Sequence, residues 1–533
     1  MNNQLISGGF GLLLLGFCLV KVETVWSKNA LDKDIEIKVG IVQRFGSNPT
    51  DEMTVSGTEG NPLTLTFQGT NGKQETVQTN SIEIAADKVS LTKQELSERV
   101  VLGDHATFET AEDDARRWKK LGIEVEITQP GRWQVWAKRD VYQTPLLRRW
   151  LLESLQSKGY DNIYLDTTVL SEKPTVYLVV NGKRYNPKEG KITAGNGLVW
   201  VASTDKKNLY AGSLKLQPNA YGTFTLINEV PLEIYLRGVV PHEIGPDAPP
   251  NAAQAQAIIA RTYALRNLRR FAADNYELCA DTHCQVYYGL TGTNPKSDKA
   301  IASTKSLVLT YKNELVDALY SSTTGGVTAR FGDIWDGEER PYLKAVIDAP
   351  SPVWDLSKHS LSQEEYFRKF ISLNQGFNET GINVFRWNKD STLEELSKDL
   401  QKYLERRKHP LAKFNKIVGM QITKRSPSGR ILEMQIQTDL GLVTLYKTEV
   451  RSAFGPPRST LFYIEPIYAP DKTLKGYSFI GGGFGHGVGL SQYGSYNLAK
   501  LGWSAEKILL FYYPGTKIIP LDDSIVFWPG QKE

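Results

Sequence analysis

Cysteine is scarce in this sequence: 533 residues include only three, which excludes a small fold held together by a disulfide framework. Charge of one sign is also lacking, because 63 Lys and Arg face 59 Asp and Glu for a net charge of +4. A nucleic-acid-binding chain is expected to be strongly basic, so that class is excluded for the chain as a whole. Only one apolar run is long enough to be a candidate membrane segment, which excludes a multi-span membrane protein.

That run lies at the start of the chain, from Leu5 to Val20, and ends at Lys21. Its length suits the apolar core of an export signal, and Val25–Ser27 is a tolerable cleavage site. A buried helix is the alternative, but no upstream segment would cover it. We therefore predict an exported protein of the cell envelope, in which residues 1–27 are either a cleaved signal peptide or a retained membrane anchor.

The composition of the remainder indicates folded domains. Apolar residues make up 41% of the chain, and 45 Gly, 25 Tyr and 11 Trp favour turns, strands and surfaces that stack on flat or sugar-like ligands. Apolar and polar residues alternate over Ile35–Ile41 and Leu63–Phe67, the period-two pattern of half-buried strands. The first part of the chain is therefore predicted to be rich in strands.

From Ala106 to Leu165 the pattern changes to a predicted βαββαβ order. The two helices are expected over 111–121, with Thr110 as N-cap, and over 145–158. This is the split βαβ, or ferredoxin-like, arrangement, and the segment resembles a SPOR domain, a family that binds peptide-free peptidoglycan strands. Its Trp133, Trp136 and Tyr142 either stack on sugar rings or fill the core of the module.

The densest pattern follows at Val230–Gly245, which reads VPLEIYLRGVVPHEIG. A long helix with small Ala positions is predicted next, over 252–267 with Asn251 as N-cap. Glu243 would then lie on a short, proline-braced loop between a strand-like run and a buried helix. From the residues alone it would be a solvated loop residue or the partner of an arginine such as Arg261.

Five blocks in order resemble the SpoIID/LytB family, named for stage II sporulation protein D. One position departs from the family's usual pattern, since Thr324 stands where Ser is more common. The blocks are Val230–Gly245; Gln285–Gly289; Tyr320–Gly326 with Trp335 and Pro341–Leu343; Arg425–Arg430 and Arg451–Gly455; and Gly481–Gly494, followed by Gly502 and Tyr512–Thr516.

The resemblance implies an α+β fold, with a strand-rich core, one long buried helix and the βαββαβ module as an insertion. We divide the chain into an N-terminal β-rich part of the SpoIID-like region at 28–100, the SPOR-like module at 101–168 and the SpoIID/LytB domain at 169–525. A segment at 360–411 has helical patterns with alternating charge, typical of solvated helix faces.

The resemblance also implies a lytic transglycosylase with Glu243 as its catalytic acid. One carboxyl group protonates the glycosidic oxygen and then, ionised, removes the proton of the MurNAc C6 hydroxyl, which closes a 1,6-anhydro ring. Ordinary glycosidases need two carboxyl groups, and Glu233 and Asp247 are the nearest candidates for a second. For Glu243 to carry a proton near neutral pH its pKa must be raised, by partial burial or by a carboxylate neighbour.

His486 lies in a loop in which every second residue is Gly, where backbone N–H groups can approach a ligand and an imidazole can relay a proton. The alternative is a tight turn whose His bonds to backbone. We predict His486 as a second catalytic residue. The predicted sugar-contacting residues are Gln285, Tyr287, Ser322, Thr323, Gly325, Gly326, Gly485, Ser491, Gln492 and Tyr493.

Cys279, His283 and Cys284 form a C-x₃-H-C cluster. They either hold a structural zinc ion, with a fourth ligand such as His242 or His486, or contain a Cys279–Cys284 disulfide suited to an exported protein. The proposed reaction requires no cofactor in either case. The expected partner is peptidoglycan in the form of peptide-free glycan strands, and a membrane is contacted only through the N-terminal segment. The alternative function is a non-catalytic wall binder that positions or stimulates a cell-wall amidase.

Overall fold

The computed structural model describes residues 34–69, 72–528 and 531. The predicted signal peptide or anchor at 1–27 lies outside them. Within the described part of the chain, no helix combines the length and apolar character needed to cross a bilayer. The fold is a strand-rich α+β structure, as predicted.

The chain begins with five strands, in which apolar side chains alternate between core and solvent. In the first of them Ile37 and Val39 are buried and Glu36 and Lys38 are exposed, which fits the alternation seen in the sequence. The strands are β1 (Glu36–Phe45), β2 (Glu52–Gly57), β3 (Leu63–Gln68), β4 (Gln74–Thr79) and β5 (Ser81–His105).

The next elements run in the order helix, strand, strand, helix, strand: α1 (Phe108–Lys120), β6 (Val125–Thr128), β7 (Trp133–Ala137), α2 (Pro145–Gln156) and β8 (Tyr164–Val180). Together with β5 they form a sheet of order β8-β5-β7-β6, in which every pair is antiparallel. Strands β5 and β8 pair over most of their length, so one long two-stranded ribbon leads into this segment and back out. Helix α1 begins three residues earlier than predicted, because Thr107 and not Thr110 is its N-cap.

Two of the three aromatic residues singled out in this segment, Trp133 and Trp136, are buried, and Tyr142 is half-buried. Trp133 is buried, with its ring centroid 5.2 Å from those of both Phe108 and Phe271. Trp136 is fully buried as well, beside Tyr221 and the guanidinium of Arg99. Of the two alternatives for these tryptophans, burial is the one observed for both rings, although Trp133 also borders the cavity that contains Glu243.

Six strands then bring the chain back to the two sheets that contain the N-terminal strands: β9 (Lys183–Tyr185), β10 (Gly190–Ala194), β11 (Leu198–Ser203), β12 (Lys206–Ala211), β13 (Ser213–Pro218) and β14 (Phe224–Pro231). They pair with the N-terminal strands, β14 with β1, β10 with β3 and β11 with β2. Residues 36–85 and 176–231 therefore build one unit, and the segment between them is inserted into it.

A helical stretch follows: α3 (Leu232–Arg237), α4 (Val240–Ile244), α5 (Pro250–Arg266), a 3₁₀ turn (Ala272–Asp274), β15 (Leu278–Cys279) and α6 (Pro295–Ser303). The strand-like run expected before Glu243 is thus helical in part. Helix α5 is buried on nearly every face, and Ala252, Ala257, Ala260 and Ala264 let its neighbours approach closely. Its first residue is Pro250, and the side chain of Asn251 donates to the Trp503 carbonyl rather than capping the helix.

The C-terminal half begins with β16 (Leu307–Tyr311), β17 (Glu314–Leu315), β18 (Tyr320–Ser321), α7 (Phe331–Ile334), α8 (Glu364–Ser372), β19 (Arg386–Thr392), α9 (Leu393–Arg406), β20 (Ile417–Arg425), β21 (Ile431–Thr438), β22 (Leu442–Tyr446) and α10 (Thr448–Ala453). It ends with β23 (Phe462–Tyr468), β24 (Leu474–Gly482), β25 (Leu490–Ser491), α11 (Gln492–Lys500), α12 (Ala505–Tyr512) and β26 (Lys517–Pro520). The insertion at 360–411 holds two helices, but strand β19 between them was not predicted, and both helices bury an apolar face.

Two of these contacts position the candidate site. Helix α5 packs against α4 on one side and against α11 and α12 on the other. Strands β18 and β25 pair in parallel, with Tyr320 opposite Leu490 and Ser321 opposite Ser491. The loops that follow β18 and precede β25 are thereby brought side by side, next to the short helix that carries Glu243.

Candidate active site

Glu243 lies in a cleft of about 460 Å³, and His486 lines the same cleft. Helix α4 carries the carboxyl group, and helix α11 fixes this short helix through its backbone. The Gln492 side-chain amide donates to the Glu243 carbonyl at 2.8 Å, and the Tyr496 hydroxyl donates to the Ile244 carbonyl. Two motif blocks about 250 residues apart are therefore joined directly.

The carboxyl group of Glu243 is partly buried and has defined partners. Burial raises its pKa above the ordinary value, and this effect exceeds the opposing effects of the Val286 N–H, the Tyr320 hydroxyl and the Gln492 amide. The Val286 N–H donates to Oε1 at 2.7 Å. A carboxyl group with a raised pKa and donors ready to receive its charged form suits a general acid that must later be a base.

A chain of hydrogen bonds runs behind Glu243. The Tyr235 hydroxyl donates to Oε1 of Gln285 at 3.2 Å, and Nε2 of Gln285 donates to the Tyr320 hydroxyl at 3.3 Å. Because the Tyr320 oxygen accepts from Gln285, its own proton is free to point at Glu243. Gln285 is fully buried, so it lies behind the cleft and orients Tyr320 instead of touching a sugar.

Tyr320 was not among the predicted site residues. The available signal was its position at the start of a motif block, but a lone tyrosine beside a strand is more often a packing residue. Only the pairing of β18 with β25 brings its hydroxyl to Glu243. Arg451, Trp335 and Phe484 also line the cleft and were likewise not predicted.

His486 is held as a neutral imidazole. Burial, followed by the positive charges of Arg451 and Arg430, lowers its pKa to about 3. Nδ1 accepts from the Val488 N–H at 3.0 Å, which assigns the ring proton to Nε2, and a hydrogen bond with the Tyr320 backbone acts against the lowering of the pKa. His486 therefore lies beside Tyr320 in the cleft lining, and its catalytic role stays a prediction.

The glycine loop after Ser322 is held from behind by a buried carboxylate. Glu379 accepts hydrogen bonds from the backbone N–H groups of Thr324, Gly325 and Gly326, and from the Ser491 hydroxyl. Gly325, Gly326 and Ser491 are buried. Their donors point away from the cleft, so they shape the site without contacting a ligand.

The remaining predicted residues divide into two groups. Ser322, Gly485 and Gln492 line the cleft with Glu243. Thr323 is buried and accepts from the Phe484 N–H, Tyr287 is a core residue bonded to Asn228, and Tyr493 is exposed on α11 outside the cleft lining.

Neither candidate for a second carboxyl group reaches the cleft. Glu233 forms a two-pronged ion pair with the buried Arg261, and Asp247 is exposed on a salt bridge to Lys296. Besides Glu243, the carboxylate among the lining residues is Glu109 of α1, and it is paired with Arg270 at 3.0 Å. The cleft thus offers one carboxyl group that is not committed to a cation.

Cys279 and Cys284 are joined in a disulfide, with Cα atoms 5.6 Å apart. A disulfide sulfur is not a thiolate, so the zinc alternative loses two of its three predicted ligands. The exposed His283 keeps its place at the cleft rim. Among the described residues, no group of three or more His, Cys, Asp and Glu side chains stands where it could hold a metal ion.

The comparison with family models bears on the motif that carries Glu243. Residues 220–311 match the model of the family described as Stage II sporulation protein, SpoIID, and the predicted resemblance to the SpoIID/LytB family is confirmed. Residues 329–489 match a second family, described as a domain of unknown function. Neither match covers 101–168, so the likeness of that module to a SPOR domain stays a prediction.

Among the relatives that are similar over more than half of the chain, three illustrate the match. The amidase enhancer of Bacillus subtilis is 28% identical over 304 residues, 53% of this chain and 40% of that protein, so the chain spans less than half of this relative. An uncharacterized protein of Brachyspira hyodysenteriae is 27% identical, covering 58% of this chain and 72% of its own. Stage II sporulation protein D of Bacillus subtilis is 27% identical, covering 60% and 85%.

Proposed function

We propose that this chain cleaves the glycan strands of peptidoglycan as a lytic transglycosylase, with Glu243 as acid and base. The observation that carries the proposal is a single uncommitted carboxyl group with a raised pKa in a cleft large enough for sugar rings. The relatives named for sporulation and for amidase enhancement support a role in cell-wall metabolism.

The reaction has two proton transfers. Glu243 gives its proton to the oxygen that bridges MurNAc and GlcNAc, and the bond from C1 to that oxygen breaks. The Val286 N–H and the Tyr320 hydroxyl stabilise the carboxylate that results. The carboxylate then takes the proton of the MurNAc C6 hydroxyl as O6 bonds to C1, so no water is consumed and Glu243 is restored.

We propose that His486 acts by positioning Tyr320 and does not transfer a proton. Its contact with the Tyr320 backbone and its low pKa support this role. The proposed mechanism needs no metal or other cofactor. We further propose that the protein acts in the cell envelope and is delivered there by the apolar segment at 5–20.

The second candidate function is a non-catalytic wall binder that enhances an amidase, and the relative named amidase enhancer favours it. Both functions require glycan binding and they differ in turnover. Purified full chain is incubated with peptide-free glycan strands, and the products are analysed by mass spectrometry. We expect fragments ending in 1,6-anhydroMurNAc, one water lighter than hydrolytic fragments.

The matched variants are Glu243→Gln and Asp247→Asn. Glu243→Gln should lower turnover by about 10²- to 10⁴-fold, the usual contribution of a general acid, while strand binding persists. Asp247→Asn changes an exposed carboxylate four residues away and should cleave like the parent chain. Strands that stay bound and intact with every form would establish the binder instead, and fragments carrying an added water would establish a hydrolase.

A further inference from the structure

A second cavity, of about 840 Å³, adjoins the Glu243 cleft. The two share Ala106, His283, Trp335 and Arg451 in their walls, so they adjoin along these residues. The second cavity lies between the inserted module and the segment at 446–452. A glycan chain seated at Glu243 and longer than the first cavity would pass the shared residues toward this second cavity.

The cations of this second cavity are paired with one exception. Arg132 is paired with Asp104, Arg407 with Glu449 at 3.1 Å, and Lys447 with Asp336 at 2.6 Å. In each of these pairs the positive and negative charges cancel within the cavity wall. The positive charge that remains belongs to the fourth cation, Arg451.

Arg451 has no hydrogen bond or ion pair with any residue that the structure describes, although it stands at the junction of both cavities. As a whole residue it is exposed, yet burial around its guanidinium lowers its pKa. Its charge acts on His486, which is kept neutral. A partly desolvated guanidinium without a partner is costly, and an anion would offset that cost.

We propose that Arg451 forms an anion subsite that binds a carboxylate of the glycan strand next to Glu243. The inference rests on the proposed function for its substrate and adds the group that is recognised. Peptidoglycan offers a carboxylate from two sources. One is the lactyl group of MurNAc, which is free when the peptide has been removed, and the other is the peptide stem itself. The planar guanidinium fork matches either carboxylate in two-pronged geometry.

Strand binding tests this subsite separately from turnover, in the full chain carrying Glu243→Gln. Affinity is measured for peptide-free strands and for stem-bearing strands, each before and after carbodiimide coupling to methylamine, which converts carboxylates to neutral amides. We expect amidation to weaken binding by about 10- to 100-fold, the range for one hydrogen bond to a charged group. Arg451→Gln should cause the same loss with unmodified strands and should remove the sensitivity to amidation.

The matched control is Arg407→Gln, which changes a cation of the same cavity that already has a carboxylate partner. It should keep the sensitivity to amidation. Arg451→Lys retains the charge without the fork, so an intermediate affinity is expected, and this variant also serves if Arg451→Gln is poorly folded.

The strand type that responds identifies the carboxylate. A loss confined to peptide-free strands assigns the lactyl group, and a loss confined to stem-bearing strands assigns the peptide. Unchanged affinity after amidation of both strand types overturns the proposal, as does an equal effect of amidation in the Arg451→Gln variant. If binding depends on Arg451 but the active chain forms no anhydro ends, the subsite stands and the proposed reaction fails.

Discussion

The Val286 N–H donates a hydrogen bond of 2.7 Å to Oε1 of Glu243, two residues after the Cys279–Cys284 disulfide ends. The disulfide closes the loop that carries Thr282 and His283 along the cleft. Because this loop leads directly to Val286, the disulfide helps to hold the N–H group that bonds to the Glu243 carboxyl group.

Loss of the disulfide should therefore lower both stability and activity. Replacing both cysteines by serine should lower the free energy of unfolding by about 2 kcal/mol, the chain-entropy contribution for so short a loop. Turnover should fall as well, because the Val286 donor is less well held. Denaturant unfolding and strand cleavage measure the two effects.

Removal of metal checks the zinc alternative. Since both sulfurs are in the disulfide, protein treated with a strong chelator should have the same melting temperature and cleavage rate as untreated protein. A melting temperature that drops with chelator and recovers with added zinc would contradict the disulfide assignment.

Tyr320→Phe removes one donor to the Glu243 carboxyl group. The Tyr320 hydroxyl lowers the pKa of Glu243, so its loss should raise that pKa further. The reaction needs the protonated acid, and the rate therefore falls as pH rises through this pKa. The alkaline limb of the pH–rate profile should move to higher pH, while the maximal rate drops by about tenfold for the lost hydrogen bond to a charged group. Tyr468→Phe, an exposed tyrosine of β23, should leave the profile in place.

The sequence located the helix and the motifs of this site, but it did not predict which of their residues contact one another. The helix at 250–266, the motif around Glu243 and the glycine loop at 481–489 could all be located from residue patterns. The chain from Tyr235 through Gln285 to Tyr320 could not, because it joins residues up to 85 positions apart and depends on how strands β18 and β25 pair. Spacing alone also left the cysteine chemistry open, since the C-x₃-H-C pattern suits both a metal and a disulfide.

Contacts between distant parts of the chain also explain why several predicted sugar-contacting residues lie outside the cleft lining. Glycines after a strand suggest exposed N–H groups, and only the fold shows that Glu379, more than 50 residues later, occupies those of Gly325 and Gly326. The tryptophans of the inserted module suggested sugar stacking, but Trp133 packs in the apolar core with Phe108 and Phe271, and Trp136 is buried against Tyr221 and Arg99.

The pH–rate profile of cleavage distinguishes a positioning role of His486 from a role in proton transfer. Because the pKa of His486 is about 3, its ring stays neutral from pH 5 to 8 and should contribute no step to the pH–rate profile in that range. His486→Gln should slow cleavage by about tenfold through weaker positioning of Tyr320 and leave the shape of the profile unchanged. The disappearance of an ionisation in this variant would show that His486 titrates during the reaction.

The buried ion pair between Glu109 and Arg270 should hold the inserted module against the core. Glu109 lies on α1 of the module, Arg270 follows α5, and both side chains are almost completely buried with their charged atoms 3.0 Å apart. Glu109→Ala leaves the guanidinium of Arg270 buried without its partner, so the free energy of unfolding should fall by about 3–5 kcal/mol.

The control is Glu394→Ala, which breaks an exposed pair with Lys398 on α9 and should lower the free energy of unfolding by no more than about 0.5 kcal/mol. Urea unfolding of the two variants measures both values. Equal small losses would mean that the module is held by its apolar contacts, such as Trp133 against Phe271, and that the charges only fix its orientation.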